Sequence, residues 1–313
     1  MFEPGPLKAA LHSAGSALPS DATRLFHGRG HCHPGLEFIN VDWFAPVVWA
    51  VAYGEVADAD LAAIKALLSE FARDNKAVQC VYLQRRDRGE VSMDLLYGAL
   101  PERCFAIEDG ARYELSFGKN QNIGFFLDAR PGRQWLVQQA PGKRVLNLFA
   151  YTCAFSVAAL RGGADKVVNI DMARSAIATG QRNHALNNLP LERANFLPHD
   201  IFRSTRKLEK LGPFDLVVID PPSRQKGSFE ADKDYGRLLG KLNTMLSPDA
   251  SILACLNAPY LGEDFLPALF TEHLPGFNYV QRLAQRADFP EADPERCLKM
   301  QVFRRLPPAA AAP

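Results

Sequence analysis

Asp171 is the residue of this 313-residue chain whose position points most directly to chemistry. It follows the apolar run Lys166 to Ile170, and an earlier run, Arg144 to Phe149, has the composition of a fully buried strand. In an open parallel sheet, ligands bind beyond the carboxyl ends of the strands. An acid about 20 residues past the first turn is placed there to hold a ribose diol by two hydrogen bonds. The segment from Lys143 to Asp171 therefore predicts a nucleoside site.

The turn between these two strands indicates which kind of nucleoside is bound. A nicotinamide cofactor normally brings a glycine-rich turn, because its pyrophosphate needs close approach of the backbone. The turn Ala150 to Cys153 contains no glycine. This favours a nucleoside without phosphates, of which S-adenosylmethionine is the commonest, over the alternatives of a dehydrogenase and of a structural unit with an incidental acid.

A second candidate site is Asp220-Pro221-Pro222, which directly follows the apolar run 214–219. The prolines fix φ and remove two N–H donors, which leaves Asp220 and the carbonyls as a rigid row of acceptors. Such a row can recognise a planar amino group and present it to an electrophilic methyl group. The alternative is a turn that only terminates the strand.

His199-Asp200 follows a third apolar run, 195–197. The Asp200 carboxylate can accept a hydrogen bond from the adenine amino group, and the N–H of Ile201 can meet a ring nitrogen. Capping of a helix over 202–210 is an equally good physical reason for an acid at this position.

Composition limits the class of protein. The net charge of +1 gives the whole chain no nucleic-acid signature, so any basic binding face must be local. The six cysteines have no paired spacing, which indicates reduced thiols in a cytosolic protein. No signal peptide and no run of 18 apolar residues is present, so we expect neither export nor membrane insertion.

The pattern of elements predicts the domains. Glycine-punctuated strands and one amphipathic helix predict a small α+β domain, whereas strands and helices alternate from Lys143 onward, as in a doubly wound α/β sheet. We expect seven strands in that sheet, near 144–149, 166–171, 194–197, 214–219, 250–256, 278–284 and 298–304. The predicted divisions are a flexible leader over 1–22, the α+β domain over 23–122, the α/β domain over 123–306 and a disordered tail over 307–313.

His27, His31, Cys32 and His33 could suggest a metal site. Adjacent residues of an extended chain point to opposite faces, so His31, Cys32 and His33 cannot all face one ion without an irregular loop. We therefore predict a solvated turn and no metal.

Taken together, these stretches resemble the class I methyltransferase family that modifies bases of bacterial large-subunit ribosomal RNA. Its members have a seven-stranded Rossmann-like domain behind a small α+β domain. The resemblance covers residues 24–305 and rests on five stretches: Arg24–Phe44, Phe126–Arg130, Val145–Leu160, Asp171 with Asn183 and Asn187-Asn188, and Asp215–Pro222. It implies S-adenosylmethionine as cofactor, and we expect this chain to lack the N-terminal RNA-binding module that some members carry.

The resemblance also implies roles for single residues. It places Arg130 near the methionine carboxylate of the cofactor, and the remaining cofactor-lining residues that we expect are Asn147, Phe149, Ala150, Tyr151, Thr152, Asp171, Met172, Asp200, Ile201 and Asp220. The expected catalytic set is Asp220, Pro221, Pro222 and Asn257. Two departures stand out: Cys153-Ala154 replaces two glycines usual in the family, and Ser223-Arg224 replaces an aromatic that often stacks on the base, which leaves Phe229 as the nearest one.

Cys255 bears on which atom of the base is methylated. Methylation of cytosine carbon 5 needs a thiolate, and in cytosine-modifying relatives the cysteine lies where this chain has Asn257. Cys255 points to the same face of its strand but lies about 7 Å away, as expected two residues along a strand. We therefore interpret it as an inert core thiol and favour methylation at nitrogen, which needs only positioning and acceptors.

RNA contact requires local basic groups. Arg224 and Lys226 directly follow the acceptor row and are the best placed. The other candidates are Arg85, Arg86, Arg88, Arg203, Arg206, Lys207, Lys210, Lys233, Arg237 and Lys241.

The sequence thus predicts a cytoplasmic S-adenosylmethionine-dependent methyltransferase that acts on RNA, most simply ribosomal RNA. Two alternatives remain open: a methyltransferase of a protein or small molecule, and a catalytically silent RNA-binding protein with the same fold. The sequence leaves the choice between monomer and homodimer open.

Overall fold

A computed structural model describes residues 3–15, 17–87, 90–118, 120–225 and 229–305. The chain forms two compact units. Unit 1 comprises residues 1–127 together with 286–294, and unit 2 comprises 128–285 together with the chain from 295 onward. The first boundary thus falls five residues later than the predicted 122/123, and the return of 286–294 to unit 1 was not predicted. The predicted tail, 307–313, lies outside the described residues.

Unit 1 is built on a five-stranded sheet in the order β1-β2-β3-β4-β5, in which only the β3–β4 pair is parallel. A separate hairpin is formed by β6 and β7. The elements of unit 1 are α1 (Gly5–Gly15), β1 (Thr23–His27), β2 (Ile39–Phe44), β3 (Val47–Tyr53), α2 (Asp58–Asp74), β4 (Cys80–Asp87), β5 (Glu90–Gly98), β6 (Cys104–Glu108) and β7 (Ala111–Leu115).

Half of the leader expected over residues 1–22 is instead the helix α1 (Gly5–Gly15). Leu7 and Leu11 lie on one face of α1, because they are four residues apart, and both are buried. They pack into the same core as Ile64 and Leu68 of α2. Burial of two leucines contributes roughly 3 to 6 kcal/mol relative to leaving them exposed, which explains why this stretch is held.

The returning segment 286–294 completes the polar interior of unit 1. The Asp288 carboxylate accepts hydrogen bonds from Thr23 Oγ1 at 2.7 Å and from the Arg24 backbone N–H at 2.9 Å. The Glu291 carboxylate lies 3.1 Å from Nε2 of His27, whose Nδ1 accepts from the Arg24 guanidinium at 2.7 Å. Both ring nitrogens of His27 are therefore engaged. Among the described residues, no group of three or more His, Cys, Asp or Glu side chains could hold a metal ion.

Unit 2 contains the predicted seven-stranded sheet, in the order β10-β9-β8-β11-β14-β16-β15. The five strands β10, β9, β8, β11 and β14 are parallel to their neighbours, and β16 runs antiparallel between β14 and β15. Strands β12 and β13 form a separate antiparallel pair. Its elements are α3 (Arg130–Gln139), β8 (Arg144–Leu148), α4 (Ala154–Arg161), β9 (Lys166–Ile170), α5 (Arg174–Leu186), β10 (Ala194–Leu197), α6 (Thr205–Leu211), β11 (Phe214–Ile219), β12 (Arg224–Gln225), β13 (Phe229–Glu230), α7 (Ala231–Leu242), β14 (Leu246–Leu256), α8 (Phe265–His273), β15 (Phe277–Arg282) and β16 (Lys299–Arg305).

Both faces of this sheet are covered by helices. Alternate residues of one strand enter different cores: Val145 packs with α3 and α4, whereas Leu146 and Leu148 pack with α6, α7 and α8. Burial on both faces explains why the strands read as near-continuous apolar runs. The predicted fold class is confirmed.

No helix in the described part of the chain is both long and apolar enough to cross a membrane.

Candidate active site

The turn after β8 has an unusual backbone. Phe149, Tyr151 and Cys153 have φ values of +56°, +46° and +62°, a region that bulky side chains rarely adopt. Two hydrogen bonds hold the turn: the Ala150 N–H donates to the Ile170 carbonyl at 3.1 Å, and the Cys153 N–H donates to the Ala150 carbonyl at 2.7 Å. Backbone strain of this kind clusters at ligand-binding sites, because it persists only where the surrounding structure enforces it.

Asp171 links this turn to the next helix. One carboxylate oxygen accepts the N–H of Tyr151 at 2.9 Å, and the other accepts the N–H of Ala173 at 2.8 Å. Each oxygen of an ionised carboxylate has two lone pairs, so each can accept one further hydrogen bond. Asp171 is half-buried at the carboxyl end of β9. Its remaining acceptor positions therefore fit the two hydroxyls of a ribose, which would donate to them.

Helix α5 packs against the turn and is hydrogen-bonded to it. Asn183 is fully buried and donates its side-chain amide to the Thr152 carbonyl at 2.9 Å. The thiol of Cys153, also fully buried, lies directly over Gly180. A Cβ at Gly180 would come within 2.4 Å of Cys153 Sγ, so only glycine fits at this position of α5 while the turn keeps its place.

A directional chain of hydrogen bonds runs through the interior beside the turn. The Asn147 amide donates to Asn169 at 2.9 Å, the Asn169 amide donates to Ser156 Oγ at 3.0 Å, and Ser156 Oγ lies 2.9 Å from Nε2 of His184. Nδ1 of His184 lies 2.7 Å from the Gly180 carbonyl, so it carries the ring proton and Nε2 accepts. Burial lowers the pKa of His184, which keeps the ring neutral. Asn147 is thus buried in strand β8, where its side chain belongs to this chain of hydrogen bonds.

Asp200 lies at the end of β10, the neighbour of β9. One of its oxygens accepts the Arg203 N–H at 2.9 Å, so Asp200 caps the turn 201–203 and not a helix over 202–210. The helix that follows, α6, begins only at Thr205. Ile201 is buried, and Met172 is 46% exposed next to Asp171.

Asp220 lies at the carboxyl end of β11. It is followed by Pro221, which is buried, and Pro222, which is exposed. Burial raises the pKa of Asp220 to about 7, and the neighbouring Asp128 carboxylate raises it as well. The charge of Arg133 and a hydrogen bond from Cys255 oppose the rise. Asp220 is therefore a carboxyl group that titrates near neutrality, as expected of a group that exchanges protons.

Cys255 lies beside Asp220 in the core. Cys255 is fully buried, and burial raises the pKa of its thiol well above the ordinary value. The buried hydroxyl of Tyr235 donates to the Cys255 carbonyl at 3.2 Å. A thiol in this environment stays protonated, so it is a hydrogen-bond donor to Asp220 and not a thiolate nucleophile.

The loops after β11 and β14 are joined. Ser223 Oγ donates to the backbone carbonyl of Asn257. Asn257 is an exposed residue. Arg224 is largely exposed and pairs with Glu230 at 3.2 Å. Phe229 is buried and packs edge-on against Phe149, with ring centroids 4.9 Å apart, so it is not available to stack on a base.

The expected site residues that directly follow strands lie at one edge of the sheet. Because β9, β8 and β11 are neighbours, Asp171, the turn 149–153 and Asp220 follow three adjacent parallel strands. Arg130 is half-buried at the start of α3. Lys226, like Arg88 in unit 1, lies outside the described residues.

Sequence reasoning missed Arg133 and Tyr235. Arg133 is 3% exposed on α3, and Tyr235 is fully buried on α7. An arginine three residues after Arg130 and a tyrosine in an amphipathic helix carry no signal by themselves. Their proximity to Asp220 depends on the packing of both helices against β11.

A sheet of this order with acids at the ends of adjacent strands defines the class of protein. The sequence profile of the S-adenosylmethionine-dependent methyltransferase family matches residues 23–304. The chain belongs to this family, as its sequence predicted. The family description names S-adenosylmethionine, the cofactor that the sequence also predicted.

The chain is also similar to individual proteins, and it spans less than two thirds of the length of several of them. The chain is 28% identical over 286 residues to the ribosomal RNA large subunit methyltransferase I of Enterobacter sp. (strain 638), which covers 86% of this chain and 70% of that protein. It is 37% identical over 167 residues to the ribosomal RNA large subunit methyltransferase K/L of Shewanella sp. (strain MR-4), which covers 50% of this chain but only 23% of that protein. The crystal structure of SMU.776 complexed with SAH has the same fold, with a TM-score of 0.82, 23% identity and coverage of 97% and 82% of the two chains.

Proposed function

We propose that this protein transfers a methyl group from S-adenosylmethionine to a nitrogen of an RNA base, and that the RNA is ribosomal. One observation carries the proposal: three adjacent strands end in Asp171, in the strained turn and in Asp220, so the proposed nucleoside site and the proposed acceptor row would share one edge of the sheet. The names of the relatives support ribosomal RNA as the substrate.

The cofactor would be held by groups of unit 2. Asp171 would accept the ribose hydroxyls, Asp200 and the N–H of Ile201 would meet the adenine, and Arg130 would pair with the methionine carboxylate. The backbone of Phe149 to Thr152 would line the space between them. When bound, S-adenosylmethionine supplies an electrophilic methyl group.

Asp220 would act on the substrate base. Its carboxylate and the Pro221 carbonyl would accept hydrogen bonds from a base N–H and so orient the nitrogen lone pair towards the methyl group. Transfer of the methyl group from the cofactor's sulfur to this nitrogen would break the carbon–sulfur bond and release the nitrogen's proton. The Asp220 carboxylate could take that proton because its pKa is raised to about 7. The buried, protonated thiol of Cys255 favours nitrogen over cytosine carbon 5, since the latter needs a thiolate.

The substrate class is tested with methyl-labelled S-adenosylmethionine and separated RNA, protein and small-molecule fractions from a strain that lacks the gene. We expect label in RNA and, after digestion to nucleosides, on a base nitrogen. Label confined to protein or to small molecules would contradict the RNA assignment. No transfer and no cofactor binding would instead indicate the silent RNA-binding protein.

The role of Asp220 is tested with Asp220→Asn, which keeps the shape of the side chain. We expect turnover to fall at least about 100-fold, in the range typical of a lost general base, with cofactor affinity nearly unchanged. The matched control is Asp215→Asn at the other end of β11, where the carboxylate caps the Arg144 N–H at 2.9 Å. If both variants turn over like the original protein, Asp220 has no part in the reaction.

A further inference from the structure

Unit 1 carries two arginines that lie against one tyrosine. Tyr53 ends β3, and Arg86 is its direct partner near the end of the parallel strand β4, so both side chains lie on the same face of the sheet. The guanidinium carbon of Arg86 lies 5.2 Å from the centroid of the Tyr53 ring, and that of Arg29 lies 4.5 Å from it. Both distances are within the range of a cation–π interaction.

The backbone that carries Arg29 is fixed by two buried glycines. A Cβ at Gly28 would come within 1.9 Å of the Leu36 carbonyl oxygen, and a Cβ at Gly30 within 1.8 Å of the Pro290 carbonyl oxygen. The Arg29 N–H itself donates to the Asn40 side chain at 3.2 Å. The Gly28-Arg29-Gly30 turn therefore sits too deep in unit 1 for any other residue at its flanks, and it presents Arg29 at a fixed place on the surface.

Hydrogen bonds fix the position of the Arg86 guanidinium as well. Its Nε donates to the Gln84 side chain, which is fully buried and is held in turn by a 3.0 Å bond to the Asn120 carbonyl, and its Nη2 donates to the Gln121 carbonyl. Burial lowers the pKa of Arg86; the charges of Tyr53 and Asp42 raise it, and the charge of Arg29 lowers it. Even so, a guanidinium stays charged in a protein.

These two like charges are not neutralised by an ion pair. Among the residues that the structure describes, no carboxylate forms an ion pair with Arg29 or Arg86. The acid nearest in effect, Asp42, is engaged by both Nε and Nη2 of Arg24, at 2.7 and 3.1 Å. Holding two guanidiniums together costs free energy through their repulsion, and an anion between or beside them would offset that cost.

We propose that Arg29, Tyr53 and Arg86 form a binding site for a phosphodiester group of the RNA substrate. The proposal rests on the proposed function of the protein. Guanidiniums recognise phosphate oxygens through pairs of parallel hydrogen bonds. Both guanidinium carbons lie within 5.2 Å of the centroid of the same tyrosine ring. A phosphodiester with several exposed oxygens could therefore contact both arginines, and the site would anchor RNA on unit 1.

Arg85, which the sequence also offered as a candidate for RNA contact, serves as the matched control because its charge is already paired with a carboxylate. It is adjacent to Arg86 on β4 and so points to the opposite face of the sheet, where it pairs with Asp94 at 3.4 Å. Arg85→Gln removes the same charge from the same strand as Arg86→Gln would. It leaves the proposed site intact.

The experiment measures the affinity of the full chain for a single-stranded RNA of about 20 nucleotides, longer than a typical binding groove, at several salt concentrations. We expect Arg29→Gln to weaken binding about tenfold, as for the loss of a charged hydrogen bond. We also expect the slope of log affinity against log salt to fall by about 0.7, the value for one phosphate on a single strand. Arg86→Lys, which keeps the charge but loses the planar fork, should weaken binding less, and Arg85→Gln should change the slope little.

Two results would overturn the proposal, and they can be told apart. If the original protein binds and methylates RNA, and Arg29→Gln matches Arg85→Gln in affinity and slope, the site is wrong while the function stands. If the original protein neither binds RNA nor methylates it, the proposed function fails and the site fails with it. Cofactor affinity, measured in parallel, should be the same for every variant.

Discussion

Replacement of Gly180 by alanine tests whether Cys153 holds the cofactor turn in place. Gly180 lies in the middle of α5, and the new Cβ would meet Cys153 Sγ at 2.4 Å and Cys153 Cβ at 2.9 Å. Real Cβ atoms do not approach other atoms so closely. Because Cys153 is fully buried and already has φ +62°, its side chain has no free space to enter, and the turn must move.

The expected magnitude is the sum of two opposing effects. Overpacking of a core costs about 1 to 3 kcal/mol. Alanine in place of glycine inside a helix contributes about 1 kcal/mol of stability. We therefore expect Gly180→Ala to lower the free energy of unfolding by up to about 2 kcal/mol and to weaken cofactor binding, since the displaced turn lines the proposed cofactor site.

A second substitution separates the clash from other causes. Cys153→Gly removes the thiol and the Cβ, and glycine adopts positive φ without strain. On that background Gly180→Ala should become stabilising by up to about 1 kcal/mol, which gives a coupling free energy of about 1 to 3 kcal/mol between the two positions. Gly240→Ala in α7, where a Cβ would meet no atom within 4 Å, is the control for helix propensity alone.

The assay is denaturant unfolding of the original protein, both single variants and the double variant, with cofactor affinity measured on each. Effects of the two changes that add within about 0.5 kcal/mol would refute the reasoning, because independent sites behave in that way. Loss of stability in the Gly240→Ala control would show that the propensity correction is misjudged.

Two further predictions concern the acids of the site. Asp171→Asn should raise the dissociation constant of the cofactor about tenfold, because an amide cannot accept through both of its terminal atoms; calorimetry measures this, and unchanged affinity would remove Asp171 from the cofactor site. Turnover should rise as the pH increases through about 7 and then level off, because Asp220 can take a proton only when ionised. A pH–rate profile without a step near 7 would contradict this role.

Local patterns were sufficient to predict most of unit 2. Its strands are buried on both faces, so each appears as a short apolar run, and the acids follow directly where the runs end. Asp171 and Asp220 could be found in this way because their positions depend on strand ends alone. The polar chain from Asn147 to His184 could not, since it joins side chains on different elements.

Two features could not be seen in the sequence, and for the same physical reason. The leader prediction relied on small and flexible residue types, whereas the burial of Leu7 and Leu11 depends on α2, which lies some 50 residues further on in sequence. Phe229 was the nearest aromatic in sequence to the acceptor row, yet its ring is buried against Phe149. In both cases a tertiary contact decided the outcome, and no short pattern contains that information.

The return of 286–294 to unit 1 has a consequence for how this protein can be divided or recombined. A fragment that stops at residue 127 would lack Asp288 and Glu291, and so would leave Thr23 Oγ1, the Arg24 N–H and Nε2 of His27 without these hydrogen-bond partners. During synthesis, likewise, unit 1 cannot acquire its full set of bonds until residue 294 has been made. A chimaera that exchanges unit 1 between relatives must therefore transplant two separate stretches of chain.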